Sequence, residues 1–408
     1  MQTLKNFTLL FVVIATLGLA SCSTPPTRII KYTTSDNCAI EFKDGKFGDA
    51  KLLSNEYNEK EKCFFAVFDK DVKLIGGETF RENNNLTSMI VPDSVTSIGD
   101  YAFAVCSQLT SIEIPNSVTR IGNDAFSGCS GLSNIYFSNS VVSIGERAFN
   151  DCSKLTEVII PNGVTSIGKA TFQGCLGLTN VTIGNCVTSI GDYAFAECTG
   201  LTSIEIPNSV TSIGECAFLN CENLRYLRIG CGVKYIKEYA FGGCSNIRYV
   251  VVPNSTVSIG QSAFAACLKL ENIEIPNSVN YIGPGAFVQC ESLKKVTLSE
   301  NITVIENSTF NGCSSLTSIK IPNKVTEIRD CAFAGCKLGS LEIPNNVILI
   351  GELAFTECKI KNVTIPNGVS TIGLGAFADC EELMSATIPK NVKLGIWAFP
   401  PHTKVNKK

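Results

Sequence analysis

Cysteine is the residue type in this chain best equipped for chemistry, and it recurs at nearly constant spacing. Cys106 ends the motif IGDYAFAVC, and Cys129 ends IGNDAFSGC 23 positions later. A thiolate can attack as a nucleophile, two thiols can form a disulfide, and about four can bind zinc. A catalytic cysteine occurs once. A cysteine repeated along the whole chain is therefore predicted to serve the architecture.

Three interpretations of the repeated cysteines stay open on sequence alone: buried free thiols, disulfides or metal ligands. Stacked strands lie about 4.8 Å apart with equivalent side chains pointing the same way. A disulfide needs Cβ atoms about 3.8 Å apart and turned toward each other. This geometry favours a ladder of buried free thiols, which occupies 13 of the 20 cysteine positions: Cys106, Cys129, Cys152, Cys175, Cys198, Cys221, Cys244, Cys267, Cys290, Cys313, Cys336, Cys358 and Cys380.

Catalytic constellations are missing from the sequence. The single histidine, His402, stands in the last seven residues, so no Ser-His-Asp or Cys-His arrangement can be assembled around it. No CxxC, HExxH or phosphate-binding loop is present. The net charge of −3 gives no basic face for nucleic acid. We expect a protein that is not an enzyme and that needs neither a cofactor nor a metal.

A repeat of 22 to 23 residues runs through most of the chain. Its phenylalanines stand at Phe80, Phe103, Phe126, Phe149, Phe172, Phe195, Phe218, Phe241, Phe264, Phe287, Phe310, Phe333, Phe355, Phe377 and Phe399. Such a period indicates stacked units, because one unit buries too little apolar surface to fold alone. The chain is predicted to be one solenoid.

Each part of the unit predicts a local structure, as in CTGLTSIEIPNSVTSIGECAF, residues 198–218. The alternating LTSIEI predicts a short strand with Ile204 and Ile206 inward. PNS predicts a turn, and VTSI a second extended piece with Val210 and Ile213 inward. The spacing of Ala217, Phe218 and Cys221 suits one face of a helical turn.

The unit LxxIxIPxxVxxIGxxAFxxC resembles the leucine-rich repeats of BspA-like bacterial surface proteins. The resemblance implies an α/β solenoid: a curved coil with a parallel β-sheet on its concave face and short helical turns or loops on its convex side. It also implies surface display and binding to host or neighbouring-cell proteins. The chain departs from the unit where Lys237, Glu306 and Arg329 replace a glycine, which we expect to alter the local coil but not the fold.

The first residues predict export and a lipid anchor. Lys5 precedes an apolar run, and Leu19-Ala20-Ser21-Cys22 resembles the bacterial lipobox, whose cysteine becomes the lipidated first residue. The run of about 13 residues is too short to cross a bilayer comfortably. The expected localisation is the bacterial outer membrane, at the cell surface.

The sequence therefore divides into five segments. We assign 1–21 to a lipoprotein signal peptide, 22–37 to a tether, and 38–79 to an N-terminal cap with a first imperfect repeat. The solenoid occupies 80–388, and 389–408 holds the last partial repeat, a C-terminal cap and a tail. Cys38 and Cys63 in the cap are either disulfide-bonded or two separate thiols.

Two consecutive units differ from the other repeats by their tyrosine and basic residues. They form the segment NLRYLRIGCGVKYIKEYAFGGCSNIRYVVVP, residues 223–253. Tyr226, Arg228 and Tyr249 are predicted to project outward, with Arg225 and Arg248 in an adjacent column. Lys234, Tyr235 and Lys237 lie on the following segment. Tyrosine and arginine often anchor protein interfaces, so we predict a ligand-binding site here.

The predicted role is protein binding, most directly adhesion. The alternative is a structural scaffold of the envelope or surface with no dedicated ligand, in which the tyrosines and arginines belong to a decayed, solvated repeat. A third class, carbohydrate binding, would favour exposed aromatic residues, but the single tryptophan, Trp397, lies near the C-terminal end.

Overall fold

A computed structural model describes residues 26–42 and 45–408. The described chain begins with a 3-10 helix at Pro26–Arg28, followed by β1 (Ile29–Thr34), β2 (Leu52–Asn58) and β3 (Cys63–Phe68). β1 pairs antiparallel with β3, and β3 with β2. None of the described helices is long and apolar enough to cross a membrane.

Parallel strands of two kinds follow, one set on each of two sides of the stacked coils. The front strands are β5 (Leu86–Ile90), β7 (Ser111–Glu113), β10 (Glu157–Ile159), β12 (Asn180–Thr182), β14 (Ser203–Glu205), β16 (Tyr226–Arg228), β18 (Tyr249–Val251), β20 (Asn272–Glu274), β22 (Lys295–Thr297), β26 (Asn362–Thr364), β28 (Ser385–Ile388) and β30 (Lys404–Lys407). β5 also pairs antiparallel with β1, which joins the N-terminal strands to the first coil.

The back strands have two residues each. They are β4 (Leu74–Ile75), β6 (Ser97–Ile98), β8 (Arg120–Ile121), β9 (Ser143–Ile144), β11 (Ser166–Ile167), β13 (Ser189–Ile190), β15 (Ser212–Ile213), β17 (Tyr235–Ile236), β19 (Ser258–Ile259), β21 (Tyr281–Ile282), β23 (Val304–Ile305), β24 (Glu327–Ile328), β25 (Leu349–Ile350), β27 (Thr371–Ile372) and β29 (Lys393–Leu394).

The pairing register equals the sequence period. Ile204 aligns with Leu227 on the front side, and Ile190 aligns with Ile213 on the back side. One coil is therefore one repeat, and the predicted parallel solenoid of stacked coils is confirmed. Most strands of the coils present one side to the interior, as shown by the complete burial of Ile213.

The centre of the core is a continuous column of phenylalanine rings. From Phe80 to Phe399 neighbouring ring centroids lie 5.0 to 5.6 Å apart, and the rings are within 14° of parallel. Phe42 covers the first ring of the column, Phe80, edge-on at 5.8 Å. The nearly constant spacing follows from the coil repeat, because each ring occupies the same place one coil later.

The predicted α/β class and helical turns are not confirmed, because the segment around each phenylalanine consists of consecutive tight turns. The amide of Ala104 donates to the carbonyl of Tyr101 at 3.1 Å, a three-residue spacing rather than the four of an α-helix. Tyr101 and Val105 have positive φ values of 56° and 61°. Left-handed residues cannot continue a right-handed helix.

Alternate amides in these turns bond to the next coil instead. Tyr101 and Phe103 donate to the carbonyls of Asn123 and Ala125, at 2.9 and 2.7 Å. A helix would direct its amides along its own axis. These turns instead add a third row of backbone hydrogen bonds between coils, besides the rows of the front strands and the back strands. The expected helical turns are therefore replaced by non-helical turns.

The glycine that follows most back strands marks a close approach between coils. A Cβ on Gly214 would lie 2.5 Å from the carbonyl carbon of Gly191. Lys237 and Arg329 occupy the equivalent place and still donate their amides to the preceding coil, at 3.1 and 2.9 Å. Among the described residues the back sheet is interrupted between β21 and β23, where Glu306 replaces the glycine, and also between β9 and β11, where Gly168 is kept.

Candidate functional site

The repeated cysteines do not form a reactive centre. All 13 ladder cysteines are buried free thiols. Each donates a hydrogen bond from Sγ to the phenylalanine carbonyl of the preceding coil, at 2.9 to 3.5 Å. Burial raises the pKa of Cys106 and Cys267 to about 12. A thiol that stays protonated at neutral pH is a poor nucleophile and a poor ligand.

The cysteines outside the ladder are also free wherever the structure describes them. Cys38 is exposed and Cys63 is buried, and no disulfide joins them. Burial raises the pKa of the Cys63 thiol, while the Lys31 ammonium lowers it. Within residues 26–42 and 45–408, no group of three or more His, Cys, Asp or Glu residues is arranged to hold a metal ion. Cys22, the predicted lipidation site, lies outside the described residues.

A groove of about 1150 Å³ lies on the front face, across strands β12, β14, β16 and β18. Its lining includes all five residues of the predicted ligand site. The structure therefore brings together Tyr226, Arg228, Tyr249, Arg225 and Arg248.

The two tyrosines are held by strands whose alternate residues face the core. On β16, Tyr226 and Arg228 point outward while Leu227 between them is half-buried. On β18, Tyr249 is outward and Val250 is buried. Tyr226 is 74% exposed and Tyr249 60%, so both rings keep most of their surface available for a partner.

The arginines of the adjacent column stand just before their strands. The backbone amide of Arg225 donates to Thr202 at 2.9 Å, and the carbonyl of Arg248 accepts from Glu271 at 3.1 Å. These bonds fix both backbones in the coil stack. Neither guanidinium makes an ion pair with any of the described residues, whereas Arg228 pairs with Glu205.

The groove has a charge opposite to that of the whole chain. Among the described residues that line it, Arg225, Arg228, Arg248 and Lys269 are cationic and Glu205 is anionic. Because the chain as a whole carries −3, the positive charge is a local property of these coils. Lys269 donates to the Asn246 amide oxygen at 2.6 Å.

Three residues of the same segment do not enter the groove. Lys234, Tyr235 and Lys237 belong to or flank the back strand β17, and Tyr235 is 48% exposed on that side. Lys237 instead lies 3.7 Å from a carboxylate oxygen of Asp192.

Val251 and Lys269 are among the groove residues that sequence reasoning missed. Val251 is 78% exposed at the outward position that Arg228 and Glu274 occupy in the two adjacent coils. A valine between two charged residues of its column was the available signal. Lys269 is in the loop before β20, where strand periodicity carries no information about direction.

Residues 73–202, 188–317 and 303–406 match the family described as BspA type leucine-rich repeat region (6 copies). This chain belongs to the BspA-type leucine-rich repeat family. The resemblance drawn from the repeat unit is therefore confirmed, and a BspA-type repeat array is a scaffold whose extended surface suits protein binding.

Solved structures agree with this family assignment. A leucine-rich repeat protein from Bacteroides ovatus is 29% identical with a TM-score of 0.67, over 83% of this chain and 88% of that one. A leucine-rich cell surface protein from Faecalibacterium prausnitzii is also 29% identical, with a TM-score of 0.50, over 88% and 96%. No protein of curated function is significantly similar to the BspA-type chain in sequence.

Proposed function

We propose that this BspA-type protein is exported, is anchored by a lipid on Cys22 to the bacterial outer membrane, and binds protein partners at the cell surface. Adhesion to host or neighbouring-cell proteins is the role we assign to it. The anchor rests on the lipobox-like residues Leu19-Ala20-Ser21-Cys22. The F. prausnitzii structure, which is that of a cell surface protein, supports display at the surface.

The groove is the observation that carries the binding function. It combines exposed Tyr226 and Tyr249 with the unpaired guanidiniums of Arg225 and Arg248. Buried tyrosine and arginine contacts supply much of the energy of protein interfaces. Several front positions outside the groove carry small polar residues, such as Ser111 and Asn362, which offer a partner much less.

Partner capture with matched variants tests this function. The mature protein is incubated with purified host matrix proteins, and the dissociation constant of any complex is measured. Replacing Tyr226, Arg228 and Tyr249 by alanine should weaken the complex by about 2 kcal/mol or more, roughly 30-fold. The control replaces Ser111, Glu113 and Thr364, exposed residues of distant front strands, by alanine.

Equal effects of the two triple variants would place binding outside the groove. Thermal unfolding midpoints of both variants should match that of the unaltered protein, since all six side chains are exposed. Adding protease to intact cells tests display. Cleavage supports a surface adhesin, and protection of the protein inside intact cells would favour the scaffold instead.

A further inference from the structure

The groove contains two arginines, Arg225 and Arg248, whose guanidiniums make no ion pair with any described residue. We propose that it accepts an acidic, extended segment of a partner protein, with carboxylates bound by Arg225 and Arg248 and an apolar side chain against Tyr226, Tyr249 and Val251. This inference rests on the proposed protein-binding function and specifies the chemistry of the partner.

The ion pairs of the front face identify which cations remain available. Arg228 is already paired with Glu205, and in the next coils Lys294 lies 3.2 Å from a carboxylate oxygen of Glu271. Arg225 and Arg248 have no such partner among the described residues. A guanidinium presents donors in a fixed fork that matches a carboxylate bidentately. Two unpaired forks one coil apart therefore favour a ligand with at least two carboxylates.

Charge complementarity extends beyond these two residues. A smaller depression of about 250 Å³ is lined by Arg248, Lys269 and Lys294, and also by Glu271, the ion-pair partner of Lys294. Arg225, Arg248 and Lys269, which make no ion pair with any described residue, therefore lie on three successive coils, and the Lys294–Glu271 pair follows them. An anionic segment that lies along the solenoid axis meets these three cations one after another, at steps of about 4.8 Å.

The exposed apolar groups distinguish a protein segment from an anionic polysaccharide. Val251 is 78% exposed and Tyr226 74%, and both border the groove. A polyanionic glycan would leave the aliphatic Val251 without an apolar partner. A peptide can place an apolar side chain there and gain about 25 cal/mol for each Å² of apolar surface removed from water.

The extent of the groove sets the length of the segment. From β12 to Lys269 the lining spans four steps between coils, or about 19 Å at 4.8 Å per step. An extended chain rises about 3.3 Å per residue. About six residues of a partner therefore fill the groove.

Selection from a peptide library tests the inference directly. Random decapeptides displayed on phage are selected on the immobilised full-length protein, and the selected pool is then assayed on the Arg225→Ala/Arg248→Ala variant. The expected pool is enriched in peptides with two or more Asp or Glu residues, and it loses binding on the variant. The control variant Arg120→Ala/Lys169→Ala removes the same charge from exposed positions outside the groove and should bind the pool normally.

The outcomes distinguish a failure of the acidic-partner inference from a failure of the proposed protein-binding function. A pool that depends on the groove but shows no acidic enrichment overturns the acidic partner and leaves protein binding in the groove standing. A pool that is insensitive to the groove variant, or the absence of any selected peptide, overturns the acidic partner, and the partner-capture experiment then decides the function independently.

Affinity measurements on one selected peptide complete the test. Its fluorescein-labelled form and a counterpart with Gln and Asn in place of Glu and Asp are compared by fluorescence anisotropy. The amide counterpart should bind at least 10-fold more weakly, and the acidic peptide should lose affinity as sodium chloride is raised from 50 to 300 mM. Equal affinity of the two peptides would overturn the inference.

Discussion

The thiol of Cys198 donates a hydrogen bond to the carbonyl oxygen of Phe172 at 3.2 Å. Phe172 belongs to the preceding coil, and its carbonyl also accepts the backbone amide of Cys175 at 3.3 Å. The thiol therefore fastens two coils together at a buried point, and the same bond recurs along the ladder. A cysteine suits this place because it is small, apolar enough to be buried, and still a weak donor.

Native and denatured protein should differ in thiol reactivity. At pH 8, iodoacetamide should label Cys38, Cys186 and Cys231, which are exposed, and leave the ladder cysteines unlabelled. Denatured without reductant, the protein should show about ten or more free thiols, because the ladder geometry disfavours disulfides. The mass shift of the intact protein measures both, and near-complete oxidation would contradict the thiol ladder.

Alkaline pH should destabilise the protein steeply. Burial raises the pKa of Cys106, Cys267 and Cys313 to about 12, and of Cys380 to about 11, whereas an unfolded thiol titrates near 8.5. Above that pH the unfolded chain loses protons that the folded chain keeps. The stability each such thiol adds is present below about pH 8.5 and falls by about 1.4 kcal/mol per pH unit up to its folded pKa.

Urea unfolding in reductant at pH 8, 9 and 10 measures this loss. A Cys198→Ala/Cys244→Ala variant should be less stable at pH 8 but should show a shallower dependence on pH. If the midpoint is the same at all three values, the thiols are not buried in their protonated form.

Removing one ring from the phenylalanine column should create a cavity. Phe241 is completely buried between Phe218 and Phe264, at centroid distances of 5.3 and 5.4 Å. Phe241→Ala should lower the free energy of unfolding by about 3 to 5 kcal/mol. Phe399 is half-buried at the end of the column and serves as the comparison. Phe399→Ala should lower the free energy of unfolding by less. Equal losses at both positions would show that stacking adds nothing to the interior rings.

Replacing Val105 should raise the stability of the protein, because this residue combines a branched Cβ with a φ of 61°. Gly128 occupies the equivalent place in the next coil with a φ of 72°. Val105→Gly should stabilise the protein by about 0.5 to 1 kcal/mol, because glycine adopts positive φ without a steric penalty.

The reverse substitution, Gly128→Val, is the matched control. An added Cβ there would lie 3.4 Å from Val105, an ordinary contact, so its cost reports backbone conformation alone. Opposite signs are expected for the two changes in the thermal unfolding midpoint, and a gain in both would refute the conformational explanation.

The anchor at Cys22 predicts a simple fractionation result. Cys22→Ala should abolish incorporation of a radiolabelled fatty acid and release the protein from the membrane fraction, since the acyl chains hold it there. A Thr24→Ala variant, altered two residues away, should behave like the unaltered protein. Retention of both the label and the membrane association by Cys22→Ala would refute the lipobox assignment.

The buried residues of the solenoid could be predicted from the sequence, because the same positions of the repeat are buried in most coils. Ile204, Ile206, Val210 and Ile213 were all predicted to point inward, and all are buried. The turns around Phe218 were missed because the same buried positions fit a helical turn equally well. The positive φ values of Cys216 and Asn220 exclude a helix here. A positive φ at a residue other than glycine cannot be read from the type of its side chain.

The site was predictable in the strands and directly before them, where Arg225 and Arg248 stand. Tyr226, Arg228 and Tyr249 could be placed on the front face by the alternation of their strands. The loop residue Lys269 could not, because its direction depends on the stacking of Asn246 beneath it. A recurring glycine at the position of Gly128 was the overlooked signal for the left-handed turns.

Because one sequence repeat forms one coil, the number of repeats fixes the distance of the groove from the start of the solenoid. Six coil steps separate Ser88 on β5 from Tyr226 on β16, a reach of about 29 Å at 4.8 Å per step. Duplication or loss of one whole unit between them would move the groove outward or inward by one step and leave its recognition surface unchanged. Reach and specificity can therefore vary independently in this architecture.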